Sequence, residues 1–194
     1  MATYLQVVEL KGVAELPAAT RVLYDIHANT ATFSTGSELV ADESHRSLEL
    51  TTEGLHLSFE LVDEPAPGAL MARELTLPAG EYLLRCDRVD FPPGGEAFLH
   101  THQGPGIRVL LFGSIRIETQ GATHAYGPGE PWFESGPDPV HAWTHATEPT
   151  AFVRCMVLPR ALQGSPSIRY VRDEDRELPK SQSYTVFVDE PVVL

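Results

Sequence analysis

The chain has 194 residues, 42% of them hydrophobic, with a formal net charge of −13 and a sequence pI near 4.9. This composition suits one folded domain and argues against disorder. It also argues against a nucleic-acid or anionic-membrane partner, since the phosphate term would be repulsive overall and no Lys/Arg cluster offsets it. No apolar run approaches the ~20 residues of a membrane helix. The start, MATYLQVVELKGVAEL, lacks the basic-then-apolar layout of a secretory signal. Two cysteines make no disulfide framework, so a cytoplasmic location is expected.

With 15 Gly and 16 Pro, few windows can sustain a helix beyond a few turns, and the chain reads as strands punctuated by turns. ATRVLYDIHANTATFSTG predicts two short strands around an Asn turn. Ser47–Leu50 and Leu55–Leu61 alternate apolar and polar on either side of Gly54, as a half-buried hairpin does, with His56 on its polar parity. After the VDEPAPGA loop come ELTLPAGEYLLRCDRVDF, GGEAFLHTH, IRVLLFG, SIRIE, PWFESG, PVHAW and AFVRCMVLP, the spacing of an all-β sandwich or barrel. The tail predicts one helical turn before Pro179, then a strand or extended arm in YTVFVDEPVVL. The layout expected is one domain overall: residues 1–74 as strands extending the barrel, 75–160 as its core and 161–194 as a tail.

The chemistry centres on Gly94-Gly95-Glu96-Ala97-Phe98-Leu99-His100-Thr101-His102. Histidines at i and i+2 on a strand share a face. Two such imidazoles suit a divalent transition metal, the bland alternative being a shared solvated face. Gly113 closes the next apolar strand, and Gly129, Pro137 and His141 follow. Gly94, His100, His102 and Gly113 stand at the spacing of the first cupin motif, and Gly129, Pro137 and His141 approximate the second, so residues 75–160 resemble a cupin. The resemblance implies a double-stranded β-helix (a jelly-roll barrel) with N- and C-terminal strands added, a homodimer, and a metal held by His100, His102 and His141. It implies Fe(II), with Ni, Mn, Cu or Zn as other divalent candidates.

The family's acidic ligand would fall near Gly106, where no acid stands. A three-His site, Gln103 or Glu134 are the open replacements, with His145 in reserve and His124 in a solvated turn. A one-residue slip would send His141 outward. Arg108 shares the inward parity of Gly106, and a buried arginine must be paired. It either forms an internal salt bridge, to Glu134 or Glu96, or serves catalysis by gripping a substrate carboxylate or enolate. Phe98, Trp132, Phe133 and Trp143 read mainly as barrel wall, and Cys86 and Cys155 as buried inert thiols. The implied function is a metal-dependent dioxygenase of quercetinase-like or diketone-cleaving type, acting on a small enol, diketone or flavonol-like substrate. The alternatives are a non-catalytic binding or sensing cupin and a metal-dependent isomerase or lyase.

Overall fold

The computed structural model describes residues 2–11, 14–36, 38–40 and 55–194. The first strand of the expected hairpin, Ser47–Leu50, and its turn lie outside the described residues. The chain divides into two compact units, Met1–Thr76 and Leu77–Leu194.

The first unit is an antiparallel sheet of order β4-β3-β6-β1-β7, built from β1 (Tyr4–Lys11), β3 (Thr20–Asp25), β4 (Thr30–Ser34), β6 (Leu55–Val62) and β7 (Met71–Glu74). The short strands β2 (Ala14–Leu16) and β5 (Glu38–Val40) pair with each other. The expected Asn turn joins β3 to β4, with Asn29 at φ 54°. Alternation puts Leu5, Val7, Val22, Tyr24, Leu57 and Phe59 on one buried face. The other face carries a buried polar cluster in which Gln6 Nε2 and Ser58 Oγ each donate to Glu60 at 2.7 Å and Arg21 lies 3.2 Å from it. Among the described residues these strands pair only within their own unit. Residues 1–74, expected to extend the barrel, place β6 between β1 and β3 in a sheet whose five strands all lie in this unit.

The second unit is rolled from a nested series of antiparallel pairs. β8 (Glu81–Phe91) pairs with β15 (Thr150–Pro159), and β9 (Glu96–His102) with β14 (Val140–Thr144). Inside them β10 (Gly106–Phe112) pairs with β13 (Pro131–Glu134), and β11 (Ile115–Thr119) with β12 (Ala122–Tyr126). First-with-last nesting over eight strands, split between two sheets, is the double-stranded β-helix of the jelly roll, the cupin-type fold. The tail completes both sheets: β16 (Ile168–Tyr170) joins β9 and β17 (Ser183–Val193) joins β8. The expected helical turn is α1 (Glu174–Glu177). No helix among the described residues is long and apolar enough to cross a membrane.

Inward alternation from both sheets gives one core of Val89, Phe91, Ala97, Leu110, Ile115, Ile117, Trp132, Val140, Ala142 and Phe152. A polar group is set into it. It consists of His100, His102, Arg108, Glu134, Arg154 and Asp87, each at most 8% exposed.

Candidate metal centre

Strand parity explains which side chains meet. Across β10 and β13, Gly106 faces Glu134 and Arg108 faces Trp132. Across β10 and β15, Arg108 faces Arg154, which faces Asp87 of β8. Two arginines side by side would repel, so each has its own carboxylate. Arg154 grips Asp87 through Nε at 2.6 Å and Nη2 at 3.0 Å. Arg108 Nη2 lies 2.7 Å from Glu134 Oε2, while its Nη1 donates to the Gly106 carbonyl at 2.5 Å. The contact to Oε2 is off line for a hydrogen bond, so the pairing is chiefly coulombic. Of the two readings of Arg108, the geometry carries the internal salt bridge, and to Glu134 rather than Glu96. Arg108 is 0% exposed and lines the interior cavity, with Nε and Nη2 making no hydrogen bond among the described residues.

β9 carries a bulge: Val140 faces His100 but Ala142 faces Ala97, so one extra residue of β9 sits between them. The bulge lets Ala97 and His100 both line the interior. It also brings the Phe98 carbonyl 2.7 Å from His100 Nδ1. A carbonyl only accepts, so Nδ1 carries the proton and His100 Nε2 presents a lone pair inward. That Nε2 stands 3.2 Å from His102 Nε2. Glu134 Oε2 lies 3.3 Å from the same His102 nitrogen, and Trp132 Nε1 donates to Glu134 Oε1 at 2.9 Å. The cavity between these groups has a volume of about 20 Å³, room for one water or ion.

These donors fit a divalent metal. Nitrogens bound side by side at about 2.0–2.1 Å from one ion stand roughly 3.0–3.4 Å apart, and the observed 3.2 Å falls in that span. Two imidazoles and a carboxylate are a set used for non-haem iron. His102 Nδ1 is buried without a partner among the described residues. Glu134 is shared with Arg108, so among the described residues no three donors are pre-set around one point.

The electrostatics keep both histidines neutral. Burial lowers the pKa of His100, and lowers that of His102 to about 3 against the opposing pull of Glu134. Burial likewise works against charge on Glu134, but Arg108 and His102 outweigh it and hold its carboxyl well below the usual range. Between pH of about 3 and 6.5, the unfolded chain binds a proton at His102 that the folded barrel refuses. Stability of the metal-free protein is therefore full above pH ~6.5 and falls on acidification, by up to about 1.4 kcal/mol per pH unit for each histidine. Below about pH 4.3 the depressed Glu134 adds a loss of the same sign. Urea unfolding at neutral pH and near pH 5 will show this as a lower midpoint at pH 5, with a smaller drop in His102→Gln. Equal midpoints would contradict the burial.

His141 is not brought to this centre. Val140, Ala142 and Thr144 take the inward parity of β14, and His141 and Trp143 point out of the barrel. His141 Nε2 instead meets Glu96 Oε1 at 2.6 Å. His141, expected as a third ligand, thus points away from His100 and His102, at a register one residue from the motif. Gln103 bonds toward the Pro166 and Ser167 carbonyls, and His145 and His124 are exposed, so none of the three joins the centre. Trp132 belongs to the interior, stacked on Tyr126 at 5.0 Å, whereas Phe98 faces an outer groove.

No protein-family model matches the chain, and no curated protein matches it. Solved structures similar to it include a protein of unknown function from Rhizobium leguminosarum bv. viciae 3841, at 20% identity and TM-score 0.36 over 43% of this chain and 85% of that one. The polyketide cyclase RemF from Streptomyces resistomycificus is similar at 24% identity and TM-score 0.37, over 50% of this chain and 64% of that one. A DUF861 family protein of unknown function from Pseudomonas syringae pv. tomato DC3000 shares 10% identity at TM-score 0.35, over 79% and 81%. At these scores the likenesses decide nothing, and the fold rests on the strand pairing.

Proposed function

We propose that the barrel is a mononuclear divalent-metal centre, held by His100, His102 and Glu134, that acts on a small enol- or diketone-like molecule as a dioxygenase. The observation that supports it is the convergence of two neutral imidazole Nε2 atoms at 3.2 Å, one with its tautomer fixed by the Phe98 carbonyl. A bound metal would supply Lewis-acid and redox chemistry. The chain's own residues do the rest. Phe98 orients His100; Arg108 and Trp132 hold the Glu134 carboxylate, and Arg108 keeps it ionised. Val89, Ile115, Ile117, Val140 and Phe152 give the chamber apolar walls.

The cavity of about 20 Å³ has no room for a flavonol. It narrows the substrate to a small molecule that reaches the centre with one donor atom. The same tightness favours a second reading, a metal-binding or sensing barrel with no turnover.

Elemental analysis of protein purified without a His tag tests the metal. Near-stoichiometric iron, nickel, copper, manganese or zinc is expected in the wild type and in His141→Ala, and none in His100→Ala/His102→Ala. No metal in any of them after anaerobic loading would sink the proposal. Oxygen uptake by the loaded protein with small β-diketones then separates the readings. Uptake supports the dioxygenase, substrate change without uptake an isomerase or lyase, and neither the binding barrel.

A further inference from the structure

One wall of the interior chamber is not sealed. Of the residues lining it, all but one are at most 8% exposed; Tyr184, at 43%, is the exception. Tyr184 stands near the start of β17, the end strand of the sheet β13-β10-β15-β8-β17, with β8 on one side and, among the described residues, no strand on the other. It faces the core residue Val89 across that pair, and facing side chains lie on the same side of a sheet. The same side chain therefore lines the chamber and reaches solvent.

Its ring is lightly held. The phenol oxygen accepts from Gln182 Nε2 at 3.1 Å, and the ring centroid lies 5.4 Å from the Arg154 guanidinium carbon. Gln182 is 7% exposed, yet its Oε1 makes no hydrogen bond among the described residues, so the latch is itself incompletely satisfied. Arg154 keeps both its bonds to Asp87 whether or not the ring lies over it, so swinging the ring outward strands no charge. Side chains in contact with solvent also change rotamer rapidly.

Size makes the movement necessary. A cavity of about 20 Å³ takes a single donor atom, whereas any organic molecule presenting that atom has a body to place. We propose that Tyr184 is the gate of the chamber. Closed, its ring caps the cavity; swung toward solvent, it admits a small organic molecule to His100 and His102. The flat body of that molecule takes the ring's place beside Arg154, since a guanidinium stacks on planar groups. This role rests on the interior being the working site proposed above, and it makes Tyr184 the residue that sets the size of what enters.

Carbethoxylation by diethyl pyrocarbonate tests the gate without any metal. The full chain is treated at neutral pH and each histidine is followed by peptide mass spectrometry, with the exposed His124 as the reference. A gate open about a tenth of the time or less slows access at least about tenfold. His100 and His102 in the wild type are therefore expected to react at least that much more slowly than His124, and Tyr184→Ala should remove most of the difference. Tyr184→Phe, which keeps the ring and loses only the Gln182 bond, should stay within a few-fold of wild type. Val186→Ala, on the same strand but away from the chamber lining, should match wild type. Millimolar p-cresol, the deleted side chain as a free molecule, should protect His100 again in Tyr184→Ala without changing His124. Interior histidines as reactive as His124 in the wild type, no acceleration in Tyr184→Ala, equal acceleration in Val186→Ala, or no protection by p-cresol would overturn the proposal. An accelerated Tyr184→Ala in a protein that takes up no metal would keep the gate and sink only the metal reading.

Discussion

Replacing Glu134 by glutamine is expected to destabilise the second unit by about 3–5 kcal/mol, the usual cost of leaving a buried charge without its partner. Arg108 is wholly enclosed and 2.7 Å from the lost carboxylate, and the next guanidinium, Arg154, is directly across the strand pair. Burial lowers the Arg108 pKa to about 10, still far above neutrality, so the guanidinium cannot escape by losing its proton. Removing both charges should behave differently. Arg108→Met with Glu134→Gln leaves Arg154 with Asp87 and no orphaned ion. It should recover most of the loss, because a buried pair is worth little against apolar packing of the same volume. Urea unfolding of the two single variants and the double variant completes the cycle. A Glu134→Gln protein within about 1 kcal/mol of wild type would show that the pair is not buried as described. Metal retention should be weakened in both Glu134 variants, which separates the carboxylate's role as a ligand from its role as a counterion.

Gly104→Ala is expected to be comparably damaging, for a steric reason. A Cβ at this position would overlap the main-chain carbonyl oxygen of Val157, and backbone cannot turn aside as a side chain can. Val157 is bonded to the Pro105 carbonyl at 2.9 Å, so relief means parting β10 from β15 at their ends. On the other side, Gly136 packs against Gly104, and its carbonyl accepts from the His102 N–H at 2.8 Å. The cost expected is about 3 kcal/mol or more, at the upper end for overpacking, together with poorer metal retention as His102 shifts. Gly127→Ala, whose Cβ would meet only the end of Glu130 at 3.6 Å, is the control and should unfold like the wild type. Equal midpoints for the two alanine variants would contradict this packing.

The jelly roll and the inward pair at His100 and His102 are legible in the sequence because both rest on local signals. Strand alternation, Gly and Pro turns and i,i+2 spacing need no knowledge of which strand lies beside which. The same is true of the helical turn before Pro179. The acid of the centre is a different matter. Nothing acidic stands near Gly106, and the carboxylate comes from Glu134, the residue directly across the strand pair from that glycine. That relation is set by the register of β10 against β13 and is invisible along the chain, although the parity of Arg108 already asks for a buried acid and names Glu134 among the choices. His141 shows the opposite failure. Its motif is present, but strand parity gives the inward places to Val140 and Ala142. The separate sheet of the first unit was also hidden, since a half-buried strand reads the same whichever sheet receives it.

The nesting of the barrel strands has a kinetic side. β8 finds its main partner in β15, so Phe91 must wait for Thr150, and Tyr82 for Pro159. The intervening strands have to be threaded into both sheets before that seam can zip shut. Contacts this distant along the chain demand loop closure well before they return any binding, which places such topologies among the slow folders, at milliseconds to seconds. Until then the apolar stretch of β15, buried along nearly its whole length in the finished barrel, is left with an open edge. Crowded refolding, rather than the finished protein, is where this chain is most exposed to aggregation.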